Sequence, residues 1–223
     1  MQRVPTAELL DFDHGSPAEI SSSLLDLQRI NRWFGGVSTT RGMIERVCRK
    51  TGQGQLRLLE VAAGSGYVPH RVCREVASLG IGLEVVLLDR VSNHFGSTNG
   101  NARIAADALA LPFPSNSFDL VSSTLFAHHL GPADLVRFAR EALRVSSRAV
   151  LINDLIRSPL HLAAVYAGFP LYRSRLTRHD APASVRQAYT PGEMRELLCE
   201  TPATRVEITR HYLFRMGIIL WKN

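Results

Sequence analysis

Residues 59–67 read Leu59-Glu60-Val61-Ala62-Ala63-Gly64-Ser65-Gly66-Tyr67. This glycine-rich stretch lies between an apolar run, residues 56–61, and a helical pattern over residues 67–79. A glycine turn between a strand and a helix is typical of open parallel sheets, which bind ligands beyond the carboxyl ends of their strands. Because Gly64 and Gly66 lack a Cβ, the backbone can approach a ligand closely there. We therefore expect a nucleotide-like ligand at this turn.

Apolar strand patterns alternate with helical patterns along the rest of the chain. Further strands are predicted at 83–88, 102–105, 118–123 and 148–153, and two final β-rich runs at 204–209 and 212–221. Strands that are apolar throughout and alternate with helices indicate a parallel sheet covered on both faces. The predicted fold is α/β. It is a Rossmann-like, doubly wound, mostly parallel seven-stranded sheet with an antiparallel C-terminal edge hairpin, extra N-terminal helices and a helical lid after strand five.

The glycine turn does not match the dinucleotide fingerprint of nicotinamide enzymes. Counted from Gly64, the third glycine of G-x-G-x-x-G is replaced by Pro69. No tyrosine is followed four residues later by a lysine, the pair typical of short-chain oxidoreductases. Asp89 ends the second strand, 23 residues after Gly66, where an acid can accept hydrogen bonds from both hydroxyls of a ribose. These features favour a nucleoside-containing ligand other than NAD.

The segment from Glu60 to Gly66 resembles the first motif of class I S-adenosylmethionine (SAM)-dependent methyltransferases, with Ala62 where glycine is usual. Residues 111–119 are similar to the small-molecule, quinone-biosynthesis-type branch of that family, and the resemblance covers about residues 56–155. It implies SAM as cofactor and S-adenosylhomocysteine (SAH) as product. The cofactor-binding residues that it implies are Glu60, Ala62, Gly64, Gly66, Asp89, Arg90, Asp107, Ala108 and Ser123.

Each of these motifs also has a purely structural interpretation. Gly64 and Gly66 could form a tight turn without a ligand, and Asp89 could be a solvated acid at a strand end. In the family, the acid at Asp107 contacts the adenine amino group and the amide of the next residue, Ala108, contacts the ring. Asp107 could instead cap a helix. Four motifs in the expected order, each at a strand end, favour cofactor binding.

The candidate catalytic residues follow strands four and five. An imidazole at His128 or His129 could deprotonate a hydroxyl group of the substrate, because the pKa of a histidine side chain is ordinarily near neutrality. One of the two could equally cap the next helix or pack structurally. Asp154 could contact substrate, or cap the helix near Ser158, which is the interpretation we favour.

The region after strand five predicts the substrate contacts. Apolar, aromatic and basic residues occur together there, which suits an aromatic or acyl substrate with an anionic group; an ordinary helix with a solvated basic face is the commoner origin of such a pattern. The candidate substrate residues are Tyr172, Arg178 and His179 from this region and Phe126 from the segment after strand four. In the N-terminal helix, Trp33 and Phe34 could fold over the cofactor, but we expect them in the hydrophobic core.

No metal site is expected. The stretch from Ser122 to Leu130 contains no acid, and Asn153 with Asp154 is an incomplete set of ligands for a hard cation. The Asn-Pro-Pro-aromatic motif of amino-directed nucleobase and glutamine methyltransferases is also missing, which disfavours DNA adenine methylation.

Length and composition predict one domain over 1–223, and the resemblance implies that it is a methyltransferase domain. Its predicted parts are an N-terminal helical cap (1–50), the cofactor-binding core (56–155), the lid (156–189) and a C-terminal helix and hairpin (190–223). The chain contains three widely spaced cysteines, no apolar run long enough to cross a membrane and no signal-peptide pattern. These features favour a cytoplasmic protein without disulfide bonds. The oligomeric state stays open between monomer and homodimer.

The predicted function is metal-independent methylation of an oxygen or carbon atom of a small aromatic or acyl molecule. The formal net charge of +6 keeps RNA or protein open as alternative substrates. Nucleic acid is not the expected partner, because no dedicated nucleic-acid-binding segment is evident. Outside this class, a non-catalytic cofactor-binding protein and a nicotinamide oxidoreductase remain as alternatives.

Overall fold

The computed structural model describes residues 1–12, 14–90 and 102–222. Its centre is a seven-stranded sheet with the strand order β3-β2-β1-β4-β5-β7-β6. The strands are β1 (Gln55–Val61), β2 (Gly82–Asp89), β3 (Ala102–Ala105), β4 (Phe118–Thr124), β5 (Ser146–Leu155), β6 (Arg205–His211) and β7 (Arg215–Trp221). Strands β1 to β5 are parallel, and β7 pairs antiparallel with both β5 and β6. The predicted α/β fold with an antiparallel edge hairpin is confirmed.

Seven α-helices accompany the sheet in the described part of the chain. They are α1 (Pro17–Trp33), α2 (Gly36–Thr51), α3 (Tyr67–Ala77), α4 (Pro132–Val145), α5 (Pro159–Ala167), α6 (Arg175–Gln187) and α7 (Pro191–Leu198). Short polar side chains start four of them: Ser16 caps α1 and Thr190 caps α7, each in a capping box with a glutamate three residues later, Ser158 caps α5 and Ser174 caps α6. Asp154 therefore does not cap α5, contrary to the interpretation favoured from the sequence.

The core lies on both faces of the sheet, as uniformly apolar strands require. Along β1, Leu59 and Val61 belong to one buried cluster, while Leu56 and Leu58 belong to the other. Helices α4 and α7 pack on the first face through residues such as Phe138 and Met194, and α2 and α3 cover the second face. From β1 the sheet continues through β2 and β3 on one side and through β4 and β5 on the other, so the strand order switches between β1 and β4. In open α/β sheets, ligands bind in the crevice at such a switch point.

The N-terminal helix differs from the expectation. Trp33 is 65% exposed and Phe34 is 39% exposed, so neither belongs to the core. The physical reason is that α1 packs against α6 and α2 rather than against the sheet, and its buried side chains are the polar Ser23 and Asp26. Helix α1 is therefore part of the cover over the carboxyl ends of the strands. No helix of the described residues is both long and apolar enough to cross a membrane.

Candidate active site

A large cavity opens at the carboxyl ends of the strands, with a volume of about 1150 Å³. Its floor is formed by the residues after β1, β2 and β4, while α1 and the segment of α5 and α6 contribute the opposite walls. Of the predicted cofactor-binding residues, the cavity is lined by Glu60, Ala62, Gly64, Asp89, Arg90, Asp107 and Ala108. Three of the four predicted motifs therefore meet at one place, because parallel strands end at the same edge of the sheet, whereas residues 111–119 do not line the cavity.

The glycine turn after β1 is held to the end of β2. The amide of Ala63 donates to the carbonyl of Leu88 (3.0 Å), and the amide of Gly64 donates to the Asp89 carboxylate (2.8 Å). Gly64 has a φ of +50°, and a Cβ there would meet nothing within 4 Å. The turn therefore leaves open space above its backbone, where a ligand can lie.

Ala62 keeps the conformation that a glycine would adopt. Its φ is +54°, in the left-handed region that costs a residue with a Cβ roughly 1–2 kcal/mol. Leu125 (φ +57°) and Phe214 (φ +56°) also line the cavity in this conformation. Strained backbone of this kind clusters at ligand sites when the surrounding structure stabilises it.

Gly66 and Ser123 do not line the cavity. Gly66 is the left-handed N-cap of α3, and its amide donates to the carbonyl of Ala63 (2.8 Å). Ser123 is buried, and its hydroxyl has no hydrogen-bond partner among the described residues. Gly66 thus shapes the turn, whereas Asp107 faces the cavity and orders its own loop by accepting a hydrogen bond from the amide of Leu109 (2.9 Å).

Glu60 lies at the bottom of the cavity beneath the glycine turn. Only 1% of its surface is exposed, and the Ser122 hydroxyl donates a hydrogen bond to its carboxylate. Burial raises the pKa of Glu60 to about 7, although the hydrogen bond of Ser122 favours the ionised form. Its charge therefore changes close to neutral pH.

His128 is enclosed by two carboxylates. Its Nδ1 lies 2.7 Å from Oδ1 of Asp154, its amide donates to Oδ2 of the same residue (2.9 Å), and its Nε2 lies 3.5 Å from Oε1 of Glu8. Burial disfavours the charged imidazole, but the attraction and hydrogen bonds of Asp154 and Glu8 outweigh it and raise the pKa of His128 to about 10. A histidine that is already protonated at neutral pH cannot accept a further proton from a substrate.

His129 has a different setting. It is partly exposed, its Nδ1 lies 2.9 Å from the Asp11 carboxylate, and its ring packs against that of His128 with 4.2 Å between centroids. Both histidines line the cavity. A carboxylate that accepts from Nδ1 fixes the ring orientation and leaves Nε2 to act as the basic atom.

Three of these side chains approach the geometry of a metal site. Glu8, His128 and His129 each offer one ligand atom, and these atoms lie within 4.8 Å of one another. However, the oxygen of Glu8 that faces both rings already accepts hydrogen bonds from Ser184 (2.6 Å) and Gln187 (2.7 Å). The proton that the two carboxylates hold on His128 explains the same arrangement without an ion.

The predicted substrate residues divide into two groups. Phe126 and Tyr172 line the cavity, whereas Arg178 and His179 do not. Arg178 donates to the carbonyl of Tyr172 (3.1 Å), and the His179 ring lies 2.8 Å from the Asp180 carboxylate. Asp154, a candidate catalytic residue, is buried behind His128 and does not line the cavity either. It can act on a reaction only through His128.

Several cavity residues were not predicted from the sequence. They are Glu8 and Asp11 from the N-terminal segment, Asp26 from α1, Asp180 from α6 and Arg215 from β7. Asp180 accepts hydrogen bonds from the amides of Leu9 and Leu10 (2.8 and 3.1 Å), so it holds the N-terminal segment over the cavity. No local motif marks these residues, because their partners lie far away in the chain.

Comparison with known proteins supports the interpretation of the central segment. Residues 59–150 match the family model described as "Methyltransferase domain". This segment contains the glycine turn and the acids at Asp89 and Asp107. Residues 59–150 are therefore similar to a methyltransferase domain. No curated protein sequence matches the chain.

Solved methyltransferase structures share the fold at low sequence identity. The plantazolicin methyltransferase BpumL, in complex with a pentazolic desmethylPZN analog and SAH, has a TM-score of 0.68 at 13% identity; 97% of this chain and 95% of that chain are covered. The related BamL complex with a triazolic analog and SAH gives 0.68 at 15% identity, covering 91% and 75%. A SAM-dependent methyltransferase from Aquifex aeolicus gives 0.57 at 15% identity, covering 79% and 88%.

Proposed function

We propose that this chain is a SAM-dependent methyltransferase, which the match of residues 59–150 supports. In this proposal it methylates an oxygen or carbon atom of a small aromatic or acyl molecule without a metal ion. The observation that carries the proposal is the continuity of one cavity, which extends from the glycine turn at Gly64 to His129 and Tyr172. A cofactor and a second molecule can therefore meet inside it.

The donor set of the cavity fits the chemistry of SAM. The open space above Gly64 and the backbone next to it would accommodate the body of the cofactor. Asp89 suits the ribose hydroxyls, while Asp107 and the amide of Ala108 suit the adenine. Glu60 at the bottom of the cavity can face the positively charged part of the molecule. When bound, SAM supplies an electrophilic methyl group on a sulfonium.

The protein's own contribution is then to orient the substrate and to remove a proton. We assign the proton transfer to Nε2 of His129, since His128 is held in its protonated form by Asp154 and Glu8. On a substrate with a hydroxyl acceptor, His129 would take the proton of that hydroxyl, and the bound cofactor would supply the methyl group. A substrate with an activated carbon would need only the orientation.

The size and lining of the cavity favour a small substrate. Ligand pockets usually measure about 300–1,000 Å³, so a cavity of about 1150 Å³ has room for the cofactor and a modest second molecule. Phe126, Leu155, Val165 and Tyr172 give the substrate half an apolar, partly aromatic wall. Among the described residues, Glu8, His128 and His129 come close to a metal site. The proton on His128 accounts for this arrangement, so the proposed reaction needs no metal ion.

RNA or a protein is the alternative substrate, favoured by the formal net charge of +6. Binding to nucleic acid would weaken steeply with salt concentration, whereas binding of a small molecule would not. The plantazolicin methyltransferases, which were solved with desmethylPZN analogs, share the fold. A substrate similar to these analogs would bind inside the cavity, as a small molecule would. The three cysteines are free, which fits the cytoplasm as the proposed compartment.

The deciding experiment is calorimetric titration of the purified chain with SAM, SAH and NADH, followed by an assay of SAH formation with phenols, enols and carboxylic acids. We expect micromolar binding of SAM and SAH, no binding of NADH, and turnover that persists in EDTA. Binding of NADH alone would favour an oxidoreductase. Binding of SAM with turnover only on RNA or protein would show that the substrate is one of these and not a small molecule. Activity that needs an added metal would contradict the metal-free reaction.

A further inference from the structure

His161 is a mostly buried histidine in the first turn of α5, and it lines the cavity. Its amide donates to Oγ of Ser158, the cap of that helix (3.0 Å), so its backbone is held in place. The residue keeps 8% of its surface exposed and has no part in the proposed proton transfer. Ligand pockets are mostly apolar with a few well-placed polar groups, so a polar ring in the cavity wall is a candidate for contact with the substrate.

The contacts of His161 fix both its orientation and its tautomer. Nδ1 lies 2.9 Å from the carbonyl oxygen of Ile156. Because a carbonyl oxygen only accepts hydrogen bonds, Nδ1 carries the proton and Nε2 has the lone pair. The amide of Ile156 in turn donates to the carbonyl of Phe214 (2.8 Å), and the Phe214 ring stacks on the imidazole with 4.7 Å between centroids and 14° between planes. The imidazole is therefore held before any ligand binds.

The second ring nitrogen, Nε2, has no hydrogen-bond partner among the described residues. It is nevertheless not one of the unpartnered polar atoms that are sealed off from solvent, such as Oγ of Ser123. Nε2 therefore keeps an accessible surface, and the space beside His161 is the cavity that it lines. The neighbouring Arg215, by contrast, is fully buried.

The ring of His161 is uncharged at neutral pH. Burial lowers the pKa of His161 to about 4, the hydrogen bond to the carbonyl of Ile156 opposes this effect, and the positive charge of Arg215 adds to it. No carboxylate of the described residues contributes to the shift. Nε2 is thus a neutral acceptor, and the partners that suit it are N–H and O–H donors.

We infer that Nε2 of His161 accepts a hydrogen bond from an N–H or O–H group of a substrate in the cavity, and that His161 thereby selects substrates that carry such a donor. The inference rests on the proposed function, whose substrate class it narrows. A substrate without the donor would cover Nε2 and leave it unpaired, which costs affinity. Sites built to bind an N–H or O–H group reject analogs that lack it for this reason.

Two molecules could provide the donor: the substrate, or the cofactor with its hydroxyl and amino groups. The place of His161 favours the substrate. Helix α5 follows β5, and β4 separates β5 from β1, whose end forms the glycine turn. Leu155, Val165 and Tyr172, which also line the cavity, belong to one apolar cluster on this side. A single acceptor among apolar side chains gives an aromatic or acyl molecule one preferred orientation.

The test uses pairs of probes of nearly the same shape, of which only the first carries a donor: indole with benzofuran, and 4-methylphenol with 4-fluorotoluene. Each probe is titrated into the free and the SAH-saturated protein. The measured quantity is the donor preference, which is the dissociation constant of the second probe divided by that of the first. Comparison of this ratio between variants removes the difference in hydrophobicity between the two probes.

Two variants separate the roles of the two ring nitrogens. His161→Asn retains an N–H that can reach the carbonyl of Ile156 but has no group at the position of Nε2, whereas His161→Gln extends an amide oxygen towards that position. We expect the donor preference for at least one pair to be about tenfold or more higher in wild type than in His161→Asn, and His161→Gln to retain part of it. The control His211→Asn changes a histidine of β6 that does not line the cavity, and it should leave the preference unchanged.

SAH titrations of the same proteins distinguish the substrate from the cofactor as the source of the donor. We expect His161→Asn to bind SAH as tightly as the wild type. If this variant weakens SAH and leaves the donor preference unchanged, Nε2 binds the cofactor and the inference is overturned. A donor preference that does not depend on His161 for either pair also overturns it. Failure of the proposed function would show differently, as absence of SAM and SAH binding to the wild type.

Both variants disturb the stack on Phe214, so their folding must be checked by circular dichroism and thermal unfolding. Should neither fold, nuclear magnetic resonance of the wild type with nitrogen-15-labelled histidine decides the question. A probe with a donor should move the resonance of the unprotonated Nε2 of His161, because that atom gains a hydrogen bond, and its partner without a donor should not. Equal shifts with both members of each pair, or no shift with any probe, would overturn the inference.

Discussion

The amide of Gly64 donates a 2.8 Å hydrogen bond to the carboxylate of Asp89, which ties the turn after β1 to the end of β2. Gly64 and Asp89 are 25 positions apart in the chain, and this hydrogen bond joins the ends of their two strands at the edge that faces the cavity. The same carboxylate lines the cavity at the place proposed for the ribose. Asp89 thus holds the glycine turn and, in the proposed function, would also face the cofactor.

Replacement of Asp89 by alanine should weaken both SAM and SAH at least tenfold, which corresponds to about 1.4 kcal/mol. Both the ribose contact and the order of the turn would be lost. Calorimetry measures the effect. The matched control is Asp119→Ala. Asp119 is partly buried at the beginning of β4, at the end of the strands away from the cavity, and its carboxylate accepts a hydrogen bond from Arg148. That variant should lose some stability but keep its cofactor affinity; equal effects of the two variants would contradict a specific role of Asp89.

Ala62→Gly should leave the protein equally stable or stabilise it by up to about 1 kcal/mol. The left-handed φ of +54° costs alanine roughly 1–2 kcal/mol, and the entropy that glycine loses on folding offsets part of this. Ala63→Gly is the matched control, because Ala63 has no positive φ, and it should destabilise the protein by about 0.5–1 kcal/mol. Urea unfolding measures both. A clear loss of stability in Ala62→Gly would show that the alanine methyl group makes a favourable contact.

Glu60→Gln should change how stability depends on pH. In the folded protein burial raises the pKa of Glu60 from 4.5 to about 7, so folding favours the protonated form. Its stabilising contribution is complete below pH 4.5 and is lost as the pH rises through 7. Between pH 4 and pH 8 the glutamine variant should therefore gain about 3 kcal/mol relative to the wild type, both without cofactor.

Urea unfolding at several pH values between these limits measures that change. Glu84→Gln serves as control, since the Glu84 side chain is 68% exposed and should show no such trend. Parallel stability profiles of wild type and Glu60→Gln would mean that Glu60 ionises as easily in the folded protein as in the unfolded chain.

The fold, and the meeting of the glycine turn with Asp89 and Asp107 in one cavity, could be predicted because their signals are local. An apolar strand, a glycine turn and an acid at a strand end each lie within a few consecutive residues, and parallel topology brings such ends together. The other half depends on contacts between distant parts of the chain. Arg215 meets Asn31 across 184 positions, and His129 meets Asp11 across 118. Hydrophobic periodicity carries no information about such pairs.

The aromatic residues at the end of α1 illustrate the same limit. Trp33 and Phe34 follow a helical apolar pattern, which normally predicts burial, yet they lie at the edge of the cavity. The packing of α1 is determined by polar contacts that the pattern does not encode. Asp26, for example, accepts from the amides of Arg173 and Ser174 (2.8 and 3.0 Å) and so directs a polar face of α1 towards α6.

The two adjacent histidines should respond oppositely to replacement. His129→Ala should lower kcat by about 10²–10⁴-fold on a substrate with a hydroxyl acceptor, with little change in thermal stability or SAH affinity, because a partly exposed base is removed. His128→Ala should instead lower the free energy of unfolding by roughly 3–5 kcal/mol, because it leaves Asp154 and Glu8 buried without their cation. Thermal unfolding, SAH titration and initial rates of both variants separate the two roles.

The pH dependence of stability gives an independent check on His128. Its folded pKa of about 10 lies above the ordinary value of 6.5, so its contribution is complete below pH 6.5 and is lost as the pH rises through 10. Wild type should therefore lose stability relative to His128→Gln between pH 6 and pH 10. If this loss is observed while His128→Gln retains more activity than His129→Ala, the proton acceptor is His129. A kcat that falls only with His128 would reverse the assignment.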